Sequence, residues 1–343
     1  MAVTAKPAAE TARRNWSVMA YHVREGFRDE VAPGEVLRLL ADPEWQLWLD
    51  VTAPNDADVQ FMREVLRFHP LAIEDVVQQH QRPKIDQYEG YAFLVLYAGK
   101  NEDTKRPLHE LNVFAGKNYL VTLHNAPLAE IDTARGRWKQ AVCDPSAGLA
   151  HCQAHGAEVG LYVVLDSVVD AYFPLMDELG EELEQVETRV LTRSDRGVLV
   201  RDLLRLRKRL LQLRRVLAPT RDVVNQLARR ELDLTQSGLS AYYLDVYDHL
   251  VRVVDTADVY RDMIASALEA YLSVSSFRLN ETMRTMTALA TILMSLTLVS
   301  SVYGMNFEVM PELKWPLGYP FALGLMLFVG VALFYWFRRR RWL

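Results

Sequence analysis

The chain has 343 residues, 50% of them hydrophobic, and a formal charge of −5. So mild a balance argues against a nucleic-acid partner. Two cysteines, Cys143 and Cys152, are too few for a disulfide framework and fit a reducing, cytoplasmic compartment. The opening segment MAVTAKPAAETARRN has no apolar core, so it is not a secretory signal, and residues 1–15 read as a disordered tail. Residues 16–157 mix strand and helix patterns, which predicts an α/β domain. Apolar alternation and β-rich composition predict strands at 46–51, 91–98, 108–116 and 118–124. Segments 54–68 and 127–142 read as helices, each opened by a proline. His69 and His80 flank a further short helix, PLAIEDV, where capping or packing is expected of them. Trp45, Trp48 and Trp138 are expected in the core.

From about residue 158 the pattern changes to long helices. A first runs to 191 and is acidic towards its end, at Asp177, Glu178, Glu181, Glu182, Glu184 and Glu187. After TRSDRG a basic helix follows, and antiparallel pairing sets the opposite charges face to face, so 158–236 is expected to form a helical hairpin. A third helix starts near Ser240 without proline or glycine and continues into an apolar run, giving a stalk over 238–284. Continued to residue 303, it would be roughly 95 Å long at 1.5 Å per residue.

Residues 285–307 and 315–337 carry no charge, and each run exceeds the ~20 residues that span a bilayer. They read as two transmembrane helices joined by an external loop, 308–314, that holds Glu308, Glu312 and Lys314. Arg278 and Arg284 precede the first run, and Arg338 to Arg341 open a basic C-terminal segment, 338–343. Positive residues stay inside, so both ends are expected in the cytoplasm of a multi-pass protein of the inner (plasma) membrane. Trp315, Tyr319 and Trp336 fit the aromatic belt at the interfaces.

Steps of three and four along the long helix pick out one face: Glu269, Ser273, Ser276, Asn280, Met283, Thr287, Ala290, Met294, Thr297, Ser301 and Gly304. The opposite positions, Leu289, Ile292, Leu293, Leu296, Val299 and Val302, suit lipid. Small polar residues also make helix–helix interfaces. A polar line running the whole length, however, suggests a water-filled path. Two spans cannot enclose one, so several copies are expected around an axis.

The segment YGMNFEVMPELKWPLGYP, followed by a span and a basic C-terminus, resembles the CorA family of magnesium transporters. HPLAIEDV (69–76), QRPK (81–84), YLDVYDH (243–249) and NETM (280–283) look like family segments in the same order. The resemblance covers roughly residues 45–343. It implies a funnel-shaped homopentamer in the lipid bilayer with the first span lining the pore and the second forming an outer ring. It places Gly304, Met305 and Asn306 at the external mouth as the selectivity filter. It also implies a regulatory Mg2+ held between subunits by Asp75 and Asp245. Ser295 stands where family members often have a proline, which puts the bend of the first span in doubt.

These residue types suit a hydrated Mg2+, which gives up its waters reluctantly. Asn306 offers an amide oxygen. Asn280, Thr287, Thr297 and Ser301 can hydrogen-bond the ion's water shell, and Met283 and Met294 can form apolar constrictions. Glu308 and Glu312 would concentrate cations at the mouth. The expected function is passive, potential-driven passage of Mg2+, with Co2+ or Ni2+ as further cargo. A Zn2+ transporter of the same superfamily and a membrane-anchored metal sensor are the alternatives. No phosphate-binding loop or nucleophile–base pair suggests an enzyme. Cys143, His151, Cys152 and His155 are zinc-compatible ligands, but their spacing fits no standard finger.

Overall fold

The computed structural model describes residues 15–32, 34–100, 108–144, 156–191, 196–229, 238–305, 311 and 315–343. They divide into two compact units, Met1–Ile264 and Ala265–Leu343.

The first unit is built on one mixed sheet. Its strands are β1 (Trp16–His22), β2 (Gly26–Arg28), β3 (Trp45–Thr52), β4 (Lys84–Tyr88), β5 (Tyr91–Lys100), β6 (Leu108–Gly116) and β7 (Tyr119–His124). The spatial order is β2-β1-β3-β7-β6-β5-β4, with β3 and β7 parallel and the other pairs antiparallel. Successive side chains of a strand point to opposite faces. Leu47, Leu49 and Val51 of β3 therefore join one core with Phe93, Phe114 and Val121. That core is closed by α1 (Val36–Leu40), α2 (Asp56–Glu64) and α3 (Pro70–Gln78), through Leu39, Met62, Ala72, Ile73 and Val76. The other face of β3 presents Trp48, whose ring meets Trp138 of α4 (Ala129–Cys143) edge-on at 5.7 Å. Trp138 Nε1 in turn donates to the Gly156 carbonyl at 2.6 Å, at the start of α5 (Gly156–Asp170). All three of the tryptophans expected in the core are buried there.

Strand positions 46–51, 91–98, 108–116 and 118–124 match β3, β5, β6 and β7, whereas β1, β2 and β4 carry no expected strand. The helix read at 54–68 is shorter, and its cap is Asn55 rather than a proline. Asn55 accepts from the Ala57 and Asp58 N–H groups, and Asp58 answers the Asn55 N–H, a reciprocal cap. The helix read at 127–142 begins at Ala129, after Leu128 in an extended conformation. His69 caps α3 through Nδ1, which accepts from the Leu71 N–H at 3.3 Å.

The apolar stretch at 158–191 is two helices, not one. A break at Ala171 separates α5 from α6 (Tyr172–Leu191), in whose first turn Pro174 sits. Composition alone would let the window within 156–189 cross a membrane, but 78% of it is buried in the protein. It is apolar because α5 packs on α4 and the sheet. Only α6 is the arm that pairs with α7 (Arg196–Ala228), where Arg209 meets Glu182 at 2.6 Å and Arg189 meets Asp202 at 3.2 Å.

Helix α8 (Ser240–Tyr303) runs unbroken for 64 residues, from the first unit into the second. The second unit completes itself with α9 (Gly318–Arg339). The apolar windows of both helices are only 6% buried. Phe321, Leu327, Phe328, Val331, Phe334 and Tyr335 of α9 are all exposed, an apolar surface far larger than water tolerates and one that a bilayer covers.

Candidate functional site

The second unit holds the polar stripe. All its members from Glu269 to Gly304 are exposed. Exposure alone does not single them out, because Leu289, Leu293 and Leu298 are exposed too. What does is their position. From 285 to 303 the covered positions are Thr285, Ala288, Thr291, Ile292, Ser295, Leu296, Val299 and Tyr303, and Ala288 is fully buried. At 3.6 residues per turn the centre of that face lies about 150° around the axis from the stripe. A Cβ built on Gly330 would meet Leu296 Cδ2 at 3.6 Å, so α9 lies against this face. The Thr285 hydroxyl, donating to the Trp342 carbonyl at 3.1 Å, ties the chain end to the same helix. Ile292, Leu296 and Val299, assigned to lipid by their sequence, thus face protein.

The hydroxyl groups are already committed in part. Thr297 Oγ1 donates to the Leu293 carbonyl at 2.9 Å, so its oxygen presents only lone pairs outward. Ser295 Oγ donates to the Thr291 carbonyl at 2.8 Å on the covered side, and the helix continues through this position without a break. Gly304 closes the helix with its N–H shared between the Ser300 and Ser301 carbonyls, both at 3.1 Å. Its φ is not in the left-handed region, and an added Cβ would meet only ordinary contacts at 3.5 and 3.6 Å. Among the described residues nothing demands glycine there. Met305 is exposed, while Asn306, Glu308 and Glu312 lie outside the described residues.

In the first unit Asp75 and Asp245 occupy different settings, and no contact joins them among the described residues. Asp75, near the end of α3, receives the Lys84 ammonium at 2.7 Å, and Lys84 reaches Asp86 at the same distance. Burial lowers the Lys84 pKa, but its hydrogen bonds to Asp75 and Asp86 and their charges outweigh that, and the net shift is upward. Asp245 is exposed on α8, one turn before His249. Ligand atoms of Asp245, His249 and the buried Asp166 of α5 lie within 4.8 Å of one another. Asp170 adds a carboxylate 3.9 Å from His249 Nδ1, and Arg137 donates to Asp166 while standing 4.0 Å from Asp170. Burial raises the Asp170 pKa; Asp166 and Asp245 raise it further, while Arg137 and His249 pull it back. This is a small basin of like charge held by one guanidinium. Its carboxylates suit Mg2+ and its imidazole suits later divalent metals.

Sequence reasoning missed Asp166, Asp170, His249 and Lys84. The signal for the first two was available: a pair of carboxylates one turn apart in the otherwise apolar VVLDSVVDAYF. Of the cysteine–histidine group only Cys143 is described, exposed at the end of α4; His151, Cys152 and His155 lie outside the described residues.

Residues 46–339 match the family described as CorA-like Mg2+ transporter protein. The chain is 32% identical over 332 residues to the cobalt/magnesium transport protein CorA of Thermotoga maritima, covering 95% of this chain and 92% of that one. It is 24% identical over 297 residues to the protein of that name from Methanocaldococcus jannaschii, covering 87% of this chain and 91% of the other. The complete structure of the CorA magnesium transporter from that organism superposes with a TM-score of 0.76 over 95% of this chain and 99% of that one, at 21% identity. With its α/β domain, its long helix and its two apolar C-terminal helices, the chain belongs to the CorA-like Mg2+ transporter family.

Proposed function

We propose that the chain is one subunit of a homopentameric channel that passes hydrated Mg2+, and Co2+ or Ni2+ less selectively, down the membrane potential. The observation that carries this reading is the stripe on α8, polar along its length and turned away from the face that α9 covers. In a ring of copies, α8 lines the path and α9 stands outside it. Committed hydroxyls such as Thr297 offer lone pairs, and the waters around Mg2+ are strong donors. The ion is therefore guided through its shell without being stripped. Met283 and Met294, exposed at 65% and 73%, form apolar constrictions that close by excluding water. Glycine at 304, which no described residue of the same chain requires, lets neighbouring copies approach at the mouth, where Asn306 presents its amide oxygen. Glu308 and Glu312 raise the local cation concentration. The potential supplies about 4.6 kcal/mol per divalent ion at 100 mV, so no nucleotide is needed.

Closure is set by cytoplasmic Mg2+. Asp75 of one copy and the Asp245 basin of its neighbour share the ion, which cancels the repulsion between them and locks the ring. Both chain ends lie in the cytoplasm, in the order set by the arginines on either side of the spans.

Purified protein reconstituted in liposomes with a trapped Mg2+ dye tests the reading. Uptake is expected to respond to an imposed negative potential and to be lost with Asn306→Ala in an intact oligomer. Wild-type uptake by that variant, or Zn2+ flux without Mg2+ flux, overturns it. Liposomes that pass no ion at all would point to a membrane-anchored sensor.

A further inference from the structure

The loop between α3 and β4 is held in an unusual conformation. Gln79 and His80 both have φ in the left-handed region, at 52° and 72°. The Glu110 carboxylate of β6 accepts from the backbone N–H groups of both His80 and Gln81. Tyr97 of β5 donates to the Gln81 carbonyl at 2.7 Å. The clasp turns the chain back on itself, so that Lys84 at the head of β4 meets Asp75 near the end of α3. Its ammonium stands 2.7 Å from Asp75 Oδ2 and 2.7 Å from Asp86 Oδ2, and 5.8 Å from the centre of the Phe93 ring. The Asp75 and Lys84 side chains are 18% and 34% exposed, so neither is a freely solvated surface charge. A cation thus already lies against the carboxylate assigned to Mg2+, and it belongs to the protein.

We propose that Lys84 is a tethered counter-ion that competes with Mg2+ for Asp75 and so sets the cytoplasmic Mg2+ concentration at which the channel closes. The proposal rests on the reading of Asp75 as a regulatory ligand. With Lys84 in place, Asp75 and Asp86 together carry a net charge of about −1 rather than −2, and a divalent ion is held less tightly. When Mg2+ takes Asp75, the ammonium swings on its flexible stem and keeps Asp86 as partner, so its release leaves no cation unpaired. Asp86 is therefore the resting place that makes the exchange reversible. A bare carboxylate pair would hold the ion more tightly and keep the channel shut at lower Mg2+. The tethered ammonium raises the threshold.

The test is a Mg2+ titration of protease protection on the full-length protein in detergent. Lys84→Met keeps the length of the stem and removes the charge. Its protection midpoint is expected at about tenfold lower Mg2+, the scale of one unit charge acting on a divalent ion across a few ångströms of partly exposed protein. Lys84→Gln is expected to move it in the same direction, and Lys84→Arg to stay near wild type. Full protection at saturating Mg2+ verifies that each variant is folded. Should Lys84→Met fail that control, Lys84→Gln and Lys84→Arg decide by the same comparison. A midpoint unchanged or raised in the neutral variants overturns the proposal, as does an equal lowering by Lys84→Arg. Asp75→Asn separates the two levels. If it titrates like wild type, the reading of Asp75 has failed. If it weakens protection while the neutral Lys84 variants leave the midpoint in place, only the role of Lys84 has failed.

Discussion

Among single residues, His124 carries the clearest consequence for stability. It is buried at the end of β7, and both ring nitrogens face acceptors. Nδ1 lies 2.6 Å from the Ala126 carbonyl and Nε2 lies 3.0 Å from Asp50 Oδ1. A carbonyl only accepts, and so does an ionised carboxylate, so the ring fits as an imidazolium with both protons in place. Asp50 also accepts the Thr122 hydroxyl at 2.6 Å, and Thr122 accepts from Trp48 Nε1 at 3.0 Å. Burial pulls the His124 pKa down; the hydrogen bond and charge of Asp50, the Ala126 carbonyl and the charge of Asp132 outweigh it, and the net shift is upward. A folded value above the unfolded one means that this contribution to stability is complete below about pH 6.5 and is lost as pH rises through the folded value. The thermal midpoint of the full chain is therefore expected to fall as pH is raised from about 6 to about 9. His124→Gln is expected to cost about 3 kcal/mol at the lower pH by stranding Asp50, and to flatten that slope. An unchanged slope in the variant would assign the pH dependence to other groups.

For the elements, the two faces of α8 make opposite demands on two alanines. Ala288 is fully buried and Ala290 is exposed on the stripe. Ala288→Leu inserts bulk into a filled contact and is expected to lower stability by about 1–3 kcal/mol, read as a lower melting midpoint in detergent. Ala290→Leu is expected to leave that midpoint near wild type and to cut Mg2+ flux, because its new bulk enters the shared path. Full flux through Ala290→Leu would remove the stripe from the pore. The same helix shows which parts of the fold the chain made legible. The two spans stood out because lipid demands long uncharged runs, and β3, β5, β6 and β7 because they are short apolar runs rich in leucine, β-branched and aromatic residues. Strand β4, KIDQY, escaped because a polar edge strand has no such signature. The break at Ala171 escaped because the apolar pattern runs through it, although Pro174 in the first turn of α6 marks a helix start. The stripe was legible as a local period, whereas the Lys84–Asp75 pair depends on a loop clasped by Glu110 from a distant strand. Asp166 and His249 meet across α5 and α8, and no spacing in the sequence encodes that.

At the level of the whole molecule, the proposed path needs more than one chain. One α8 cannot enclose a path, and α9 covers only the face away from the polar stripe. The remaining exposed apolar surface of the spans has to be divided between lipid and other copies. Closed rings satisfy every subunit equally, and the proposed number of copies is five. Native mass spectrometry in detergent is expected to give a pentamer. Mass alone does not show that the copies share one path, but mixing does. When wild type and Asn306→Ala are co-expressed in known proportions, each ring draws its mouth from five chains. If the filter is one ring of amides and a single defective copy spoils it, flux falls as about the fifth power of the wild-type fraction. If each copy conducts by itself, flux falls linearly with that fraction. A pentamer with a linear response would be an assembly of separate paths, and the argument from the stripe would fail even though the count was right. A response steeper than linear, together with an unchanged oligomeric mass, ties the polar face of α8 and the residue at 306 to a single conduit that no chain possesses alone.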